Sequence, residues 1–235
     1  RCAFFYRYGL KAKPRRVAKY DAPLYGTFVH AVLEETVQEV MKRGGFGAVD
    51  AQQASDLTSQ AIEHFCQSHP EDLAAQPART AYLFSRNLEE VRAVARELWQ
   101  ELNGSQFIPV QCELEFSEQG KMPPVVIHGD RCDGTISGFV DRVDVYWKDG
   151  VPYVRVVDYK TGPKAFDYTD VLEGIGLQML LYLFALEDYG EDLFGQKPEP
   201  AGVLYVPARV TPIPSTQRPT PEEAEKARSS TVQRS

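Results

Sequence analysis

Apolar residues recur at helical spacing through the first hundred residues and at every second position beyond them. Phe28, Val29, Val32, Leu33, Val37 and Val40 predict a helix from Gly26–Thr27 to about Arg43, with Gly44–Gly45 as its stop. Asp50 is placed to cap a second helix through Leu57, Ala61 and Phe65. After Pro77 a third carries Tyr82, Leu83, Val91, Val94, Leu98 and Leu102 and ends at Asn103–Gly104. The period then becomes two. Cys112, Leu114 and Phe116 alternate with Gln111, Glu113 and Glu115, as in a half-buried strand. Further strands are expected from Ile136 to Trp147, from Pro152 to Lys160 and from Gly202 to Val206. Asp149–Gly150 reads as a hairpin turn and Thr161–Gly162–Pro163 as a break. A helix from about Val171 to Tyr189 precedes the last strand. Helices, then β-β-β, then helix, then strand imply an α/β sandwich with a mixed sheet and a helical N-terminal region.

Composition fits a folded chain. Of 235 residues, 43% are hydrophobic and 25% charged, which argues against global disorder. No apolar run approaches the roughly 18–20 residues of a membrane span, so no membrane partner is expected. The net charge of −7 counts against a nucleic-acid partner until its distribution is read. Residues 1–20 hold seven bases (Arg1, Arg7, Lys11, Lys13, Arg15, Arg16, Lys19) and no acid. The remainder is therefore strongly acidic, with an aromatic, basic arm attached. The first residue is Arg1, and the chain is read as an excised piece of a longer protein. Residues 1–25 form the arm, 26–210 the main domain with a helical insertion at about 45–105, and 211–235 a tail. The tail is expected to be mobile, with a short helix at Pro221–Arg228. The four cysteines (Cys2, Cys66, Cys112, Cys132) lack the close spacing of a zinc knuckle or redox dithiol. Cys66 and Cys112 are expected as plain buried thiols, in a reducing interior.

The chemistry concentrates on two strands. In TISGFVDRVDVYW, Phe139, Asp141, Val143 and Val145 share a face, so Asp141 sits in an apolar row and needs a partner. Arg142 and Asp144 fall on the other face and are expected in solvent. In VPYVRVVDYKTG, Val154, Val156, Asp158 and Lys160 share a face. Asp141 and Asp158 can then approach across the hairpin. Two such carboxylates repel unless a cation sits between them, and a hard divalent ion such as Mg²⁺ accepts carboxylate oxygens. The plainer alternative is a surface ion pair, Asp158 with Lys160, and an Asp141 paired to an arginine. Gln178 and Tyr182 stand at i, i+4 on a nearly all-apolar helix, where a buried glutamine needs hydrogen-bond partners. His30 lies beside Val29 and Leu33, near the apolar stripe of the first helix.

The runs G-F-V-D-R-V-D-V (138–145), V-V-D-Y-K-T-G (156–162) and L-Q-M-L-L-Y (177–182) resemble the RecB-type motifs of the PD-(D/E)xK nuclease superfamily. C-A-F-F-Y-R-Y-G-L (2–10), G-T-F-V-H-A-V-L-E (26–34) and A-G-V-L-Y-V-P (201–207) resemble the C-terminal nuclease domains of the AddB family. The resemblance covers most of residues 1–228, with 45–105 alike in texture alone. It implies a restriction-endonuclease-like core, a central mixed sheet flanked by helices. His30, Asp141, Asp158 and the carbonyl of Tyr159 would be metal ligands, Lys160 the catalytic lysine, and Gln178 and Tyr182 the Q-x-x-x-Y pair behind the active site, contacting DNA or supporting the lysine. Val140 stands where the superfamily's nominal proline would be.

By the same resemblance, Cys2 would join three downstream cysteines in a four-iron four-sulfur (4Fe-4S) cluster of the full-length protein. Cys66, Cys112 and Cys132 do not match those positions, so no intact cluster is expected in this piece. The implied activity is Mg²⁺-dependent (Mn²⁺ as the alternative) exonucleolytic cleavage of single-stranded DNA. It would serve a bacterial, cytoplasmic helicase–nuclease with an AddA-type partner that processes double-strand breaks for homologous recombination. Lys11, Lys13, Arg15 and Arg16 would neutralise DNA phosphates, and Phe4, Phe5 and Tyr8 would either stack bases or pack against the domain. No G-x-x-x-x-G-K-[ST] occurs, so ATP chemistry is assigned elsewhere. Two other readings stay open: an inactive nuclease fold retained as a DNA-holding or docking scaffold, and a stand-alone RecB-like exonuclease.

Overall fold

In a computed structural model of the chain, residues 22–69, 78–162 and 168–209 are described, together with Phe5 and Gly9. The basic residues Lys11, Lys13, Arg15 and Arg16, Cys2, and the expected tail helix lie outside these residues. Helices α1 (Ala22–Lys42), α2 (Ala51–Ser68) and α3 (Ala78–Gly104) come first. Strands follow as β1 (Ile108–Phe116), β2 (Val125–Ile127), β3 (Gly134–Ile136), β4 (Gly138–Lys148) and β5 (Val151–Lys160). Then come α4 (Tyr168–Leu172), α5 (Gln178–Tyr189), the single turn α6 (Glu191–Phe194) and β6 (Glu199–Pro207).

The main sheet has the order β1-β4-β5-β6, antiparallel except for the parallel β5–β6 pair. That parallel pair needs a long crossover, which the segment containing α5 supplies. Asp149 and Gly150 both take positive φ (51° and 82°), as a tight β4–β5 hairpin with native twist requires. Each face of the sheet has its own core. On one, the buried stripe of α1 (Phe28, Val29, Val32, Leu33, Val37, Val40) packs with α2, α3, Val157 and Tyr159. On the other, Met179, Tyr182, Leu183 and Leu186 of α5 pack on Val143, Val145, Val154 and Val156. Asp50 caps α2 in a reciprocal box with Gln53. The mixed sheet between helical layers agrees with the expected fold class.

Six details differ from the sequence reading. Asp141 does not share a face with Val143 and Val145: it meets His30 on the α1 side, while Val140 packs with those two valines in the α5-side core. Helix α1 begins at Ala22, because Pro23 is compatible with a first helical turn, whose N–H groups lack partners anyway. The expected 171–189 helix is two helices, because Gly174 and Gly176 (φ 79° and 72°) break it. The expected 136–147 strand is interrupted at Ser137; its first part pairs in a separate β2–β3 hairpin. Arg142 and Asp144 are fully buried rather than solvated, since this face of β4 is covered by helices too. Finally, Cys112 does not share a face with Leu114 and Phe116. Cys112 packs in the α1-side core and the other two in the α5-side core. The cause is Glu113, whose φ of 48° breaks the alternation between them.

Candidate active site

The site arises where the two central strands part. The β4–β5 ladder ends at Arg142↔Val157, yet β4 stays paired with β1 back to Gly138 and β5 with β6 out to Lys160. Asp141 and Asp158, the next residues of each strand, therefore flank the opening of a fork. Asp141 replaces the missing ladder bond: the Tyr159 backbone N–H donates to its Oδ2 at 2.5 Å. Its Oδ1 lies 3.3 Å from His30 Nδ1, so α1 closes the fork from one side. Gly26 at the start of α1 faces Thr161, directly after Lys160. Lys160 Nζ lies 2.5 Å from Asp158 Oδ2, and the Lys160 carbonyl accepts the Ala208 N–H at 2.9 Å, which ties the end of β5 to the chain beyond β6.

A residue that the sequence reading left on a solvent face completes this cluster. Glu113 is half-buried on the edge strand β1, and one donor atom each from His30, Glu113 and Asp141 lie within 4.8 Å of one another. Its left-handed backbone is rare for a non-glycine residue and tends to persist where surrounding structure enforces it. No residue type announces such a kink; the one available signal was an acid on the strand that pairs with Asp141's own.

The electrostatics show carboxylates short of positive charge. Burial raises the Glu113 carboxyl to about 7, with Asp141 and Glu34 adding to the shift. Burial likewise raises Asp158, although Lys160 pulls it down. Glu34 on α1 is raised by burial and held by Gln38 at 2.8 Å. The hydrogen bond to Asp141 raises His30, against the effect of burial. Asp158 Oδ2 is buried, with the Lys160 ammonium 2.5 Å away. Donors bound about 2.0–2.6 Å from a cation lie up to about 4–5 Å from one another. The His30–Glu113–Asp141 grouping therefore fits a divalent ion, with Asp158 beside it.

The remaining expected site residues fall nearby. Tyr182 is fully buried and stacks on Phe116, ring centroids 4.5 Å apart. Gln178 is exposed in the first turn of α5, not enclosed as its apolar surroundings suggested; its Nε2 donates to Tyr182 Oη at 3.0 Å. The pair bears on β4 at Gly138, where a Cβ would stand 2.2 Å from Tyr182 Oη, so only glycine fits three residues before Asp141. Cys66 and Cys112 are half-buried free thiols pushed up by burial, Cys112 to about 12, and Cys132 is exposed and free. Phe5 is exposed. Among the described residues no helix is long and apolar enough to cross a membrane.

Comparison with protein-family models matches residues 1–234 to the PD-(D/E)XK nuclease superfamily. The chain belongs to that superfamily. The expected motif residues Asp141, Asp158 and Lys160 stand at the fork, with Val140 before Asp141. The chain is also similar to curated AddB proteins, each named as a subunit of an ATP-dependent helicase/deoxyribonuclease. That of Moorella thermoacetica is 33% identical over 223 residues, 94% of this chain and 19% of the relative. That of Acetivibrio thermocellus is 36% identical over 231 residues, covering 96% and 20%. The chain thus spans about a fifth of the length of the curated relatives it matches.

These raised values set a pH dependence for the metal-free PD-(D/E)XK domain. His30, Glu113 and Asp158 hold protons more tightly folded than unfolded. Their stabilising contributions are present below the unfolded values and fade as pH rises through the folded ones, about 7 for Glu113. A cation bound among these groups would take the protons' place. The rise in melting temperature caused by Mn²⁺ is therefore expected to be larger at pH 8 than at pH 5.5. Melts with and without Mn²⁺ at the two pH values check this; an equal shift would show that these groups do not bind the ion.

Proposed function

We propose that this domain is a Mg²⁺-dependent deoxyribonuclease that removes nucleotides from single-stranded DNA ends. We place it in an AddAB-type helicase–nuclease, with an AddA-type partner, acting on double-strand breaks in the bacterial cytoplasm for recombination. The observation that carries the reading is the β4–β5 fork, which gathers Asp141, Asp158, Lys160 and His30 in a chain of the nuclease superfamily. The relatives' name supports the deoxyribonucleic substrate and the helicase context.

His30, Glu113, Asp141, Asp158 and the Tyr159 carbonyl would hold the cation, whose oxygen-rich donor set suits Mg²⁺ and whose one imidazole also admits Mn²⁺. When bound, the ion neutralises phosphate charge and acidifies water. Lys160, anchored on Asp158 at the mouth, orients the attacking water and stabilises the negative charge gained on the phosphate oxygens. Water's oxygen bonds to phosphorus and releases its proton to solvent, the phosphorus–oxygen bond to the sugar breaks, and the departing sugar oxygen takes up a proton from solvent. Gln178 and Tyr182 support the β4 side of the pocket at Gly138. Lys11, Lys13, Arg15 and Arg16 would track the DNA backbone. In the full-length protein Cys2 would serve a 4Fe-4S cluster.

The test uses end-labelled single-stranded DNA with Mg²⁺. The parent is expected to degrade it and Asp158→Ala to be slower by at least about 10³-fold, since a catalytic cation supplies several kcal/mol. Equal degradation by both would show the site is misassigned. Binding without cleavage by either would favour the scaffold reading.

A further inference from the structure

The face of β4 turned away from the α5 core carries a charged network that the proposed chemistry does not use. Arg142 and Asp144 are both fully buried and form a two-pronged ion pair: Nε to Oδ1 at 2.7 Å and Nη2 to Oδ2 at 3.0 Å. Arg155 of β5 reaches the same carboxylate, Nε to Oδ2 at 2.8 Å. Arg155 is itself braced by Glu101 of α3 at 3.3 Å and by the Phe107 ring, 4.6 Å below its guanidinium. Arg142 Nη1 remains, and it donates to Tyr159 Oη at 2.5 Å.

Tyr159 is the residue between Asp158 and Lys160. Its backbone N–H holds Asp141, and its ring meets the His30 ring edge-on, centroids 6.0 Å apart at 86°. The backbone of this one residue thus holds Asp141 while its buried ring meets His30, and the far end of that ring is gripped from behind the sheet. A buried ion pair is a weak source of stability, because desolvation offsets the attraction. Groups behind a ligand set are known to act by orienting it. We propose that the Arg142–Asp144 pair, braced by Arg155, is a positioning device. It fixes the Tyr159 phenol and through it sets the Asp141 carboxylate and the His30 ring for cation binding. This rests on the metal-site reading above.

Tyr159→Phe keeps the ring and its packing and removes the oxygen that Arg142 grips. At 20 °C, below unfolding, its Mn²⁺ affinity by calorimetry is expected to fall about 10–100-fold. In metal-free protein the amide of residue 159 should exchange faster, since its bond to Asp141 loosens. A purely structural role would lower the melting temperature and leave both readouts at the parent's values, which would overturn the proposal. Should Tyr159→Phe not fold, Arg155→Gln, on the half-buried outer brace, is expected to weaken Mn²⁺ at least about twofold; parental affinity there would overturn it equally. Asp141→Ala separates the two claims. Lost Mn²⁺ binding in Asp141→Ala with parental binding in Tyr159→Phe rejects the positioning device alone. Parental binding in both rejects the metal site itself.

Discussion

Lys160→Ala is expected to slow phosphodiester cleavage by about 10²–10³-fold while the protein still binds DNA and Mn²⁺. The magnitude is that of removing one preorganised group aimed at charge developing in a transition state. The side chain is placed for this: its ammonium rests 2.5 Å from Asp158 Oδ2 and remains 37% exposed, open to an incoming anion. Because Lys160 is a cation next to a cation site, its loss should leave Mn²⁺ affinity unchanged or tighter, the reverse of losing a ligand. Lys160→Arg should not restore the rate, since a planar guanidinium is a different donor from a compact ammonium. Single-turnover rates at saturating DNA, paired with Mn²⁺ titrations, check this. A parental rate in Lys160→Ala would remove the lysine from the chemistry.

Asp144→Ala should be among the most destabilising single substitutions in the chain, by about 3–5 kcal/mol, because it strands the Arg142 charge with no exposure to water. The loss would be a large part of the roughly 5–15 kcal/mol that holds a domain folded. By contrast, the exposed Arg92–Glu89 pair at 2.8 Å should contribute under about 1 kcal/mol. Replacing both buried partners, Arg142→Met with Asp144→Leu, should be milder than Asp144→Ala, since the fully buried Arg142 charge goes too and the partly exposed Arg155 keeps Glu101. Urea melts of the variants measure this directly, and a change below about 1 kcal/mol for Asp144→Ala would contradict the burial argument.

Much of this architecture was legible before any coordinates. Helix α1 could be read because its apolar stripe is regular and all of it is buried. The D-x-K strand could be read because Val154 and Val156 alternate into the core before Asp158 and Lys160 emerge at its end. Two things were hidden for physical reasons. Alternation tells which residues share a face but not whether a second helical layer covers it, so Arg142 and Asp144 looked solvated. A single left-handed residue shifts the phase of a strand without any mark in composition, so Glu113 looked like an outward acid. The short β2–β3 hairpin, with strands of three residues each, is too brief for periodicity to register.

The fork joins pieces of chain made far apart in time. His30 emerges during synthesis more than a hundred residues before Asp141, and β6 must follow before the chain beyond it can secure Lys160 through Ala208. At about 5–20 residues per second, roughly 8–30 seconds separate the first helix from the last strand. Contacts that distant close late in folding. The proposed site is therefore not assembled until every strand of the main sheet has been delivered.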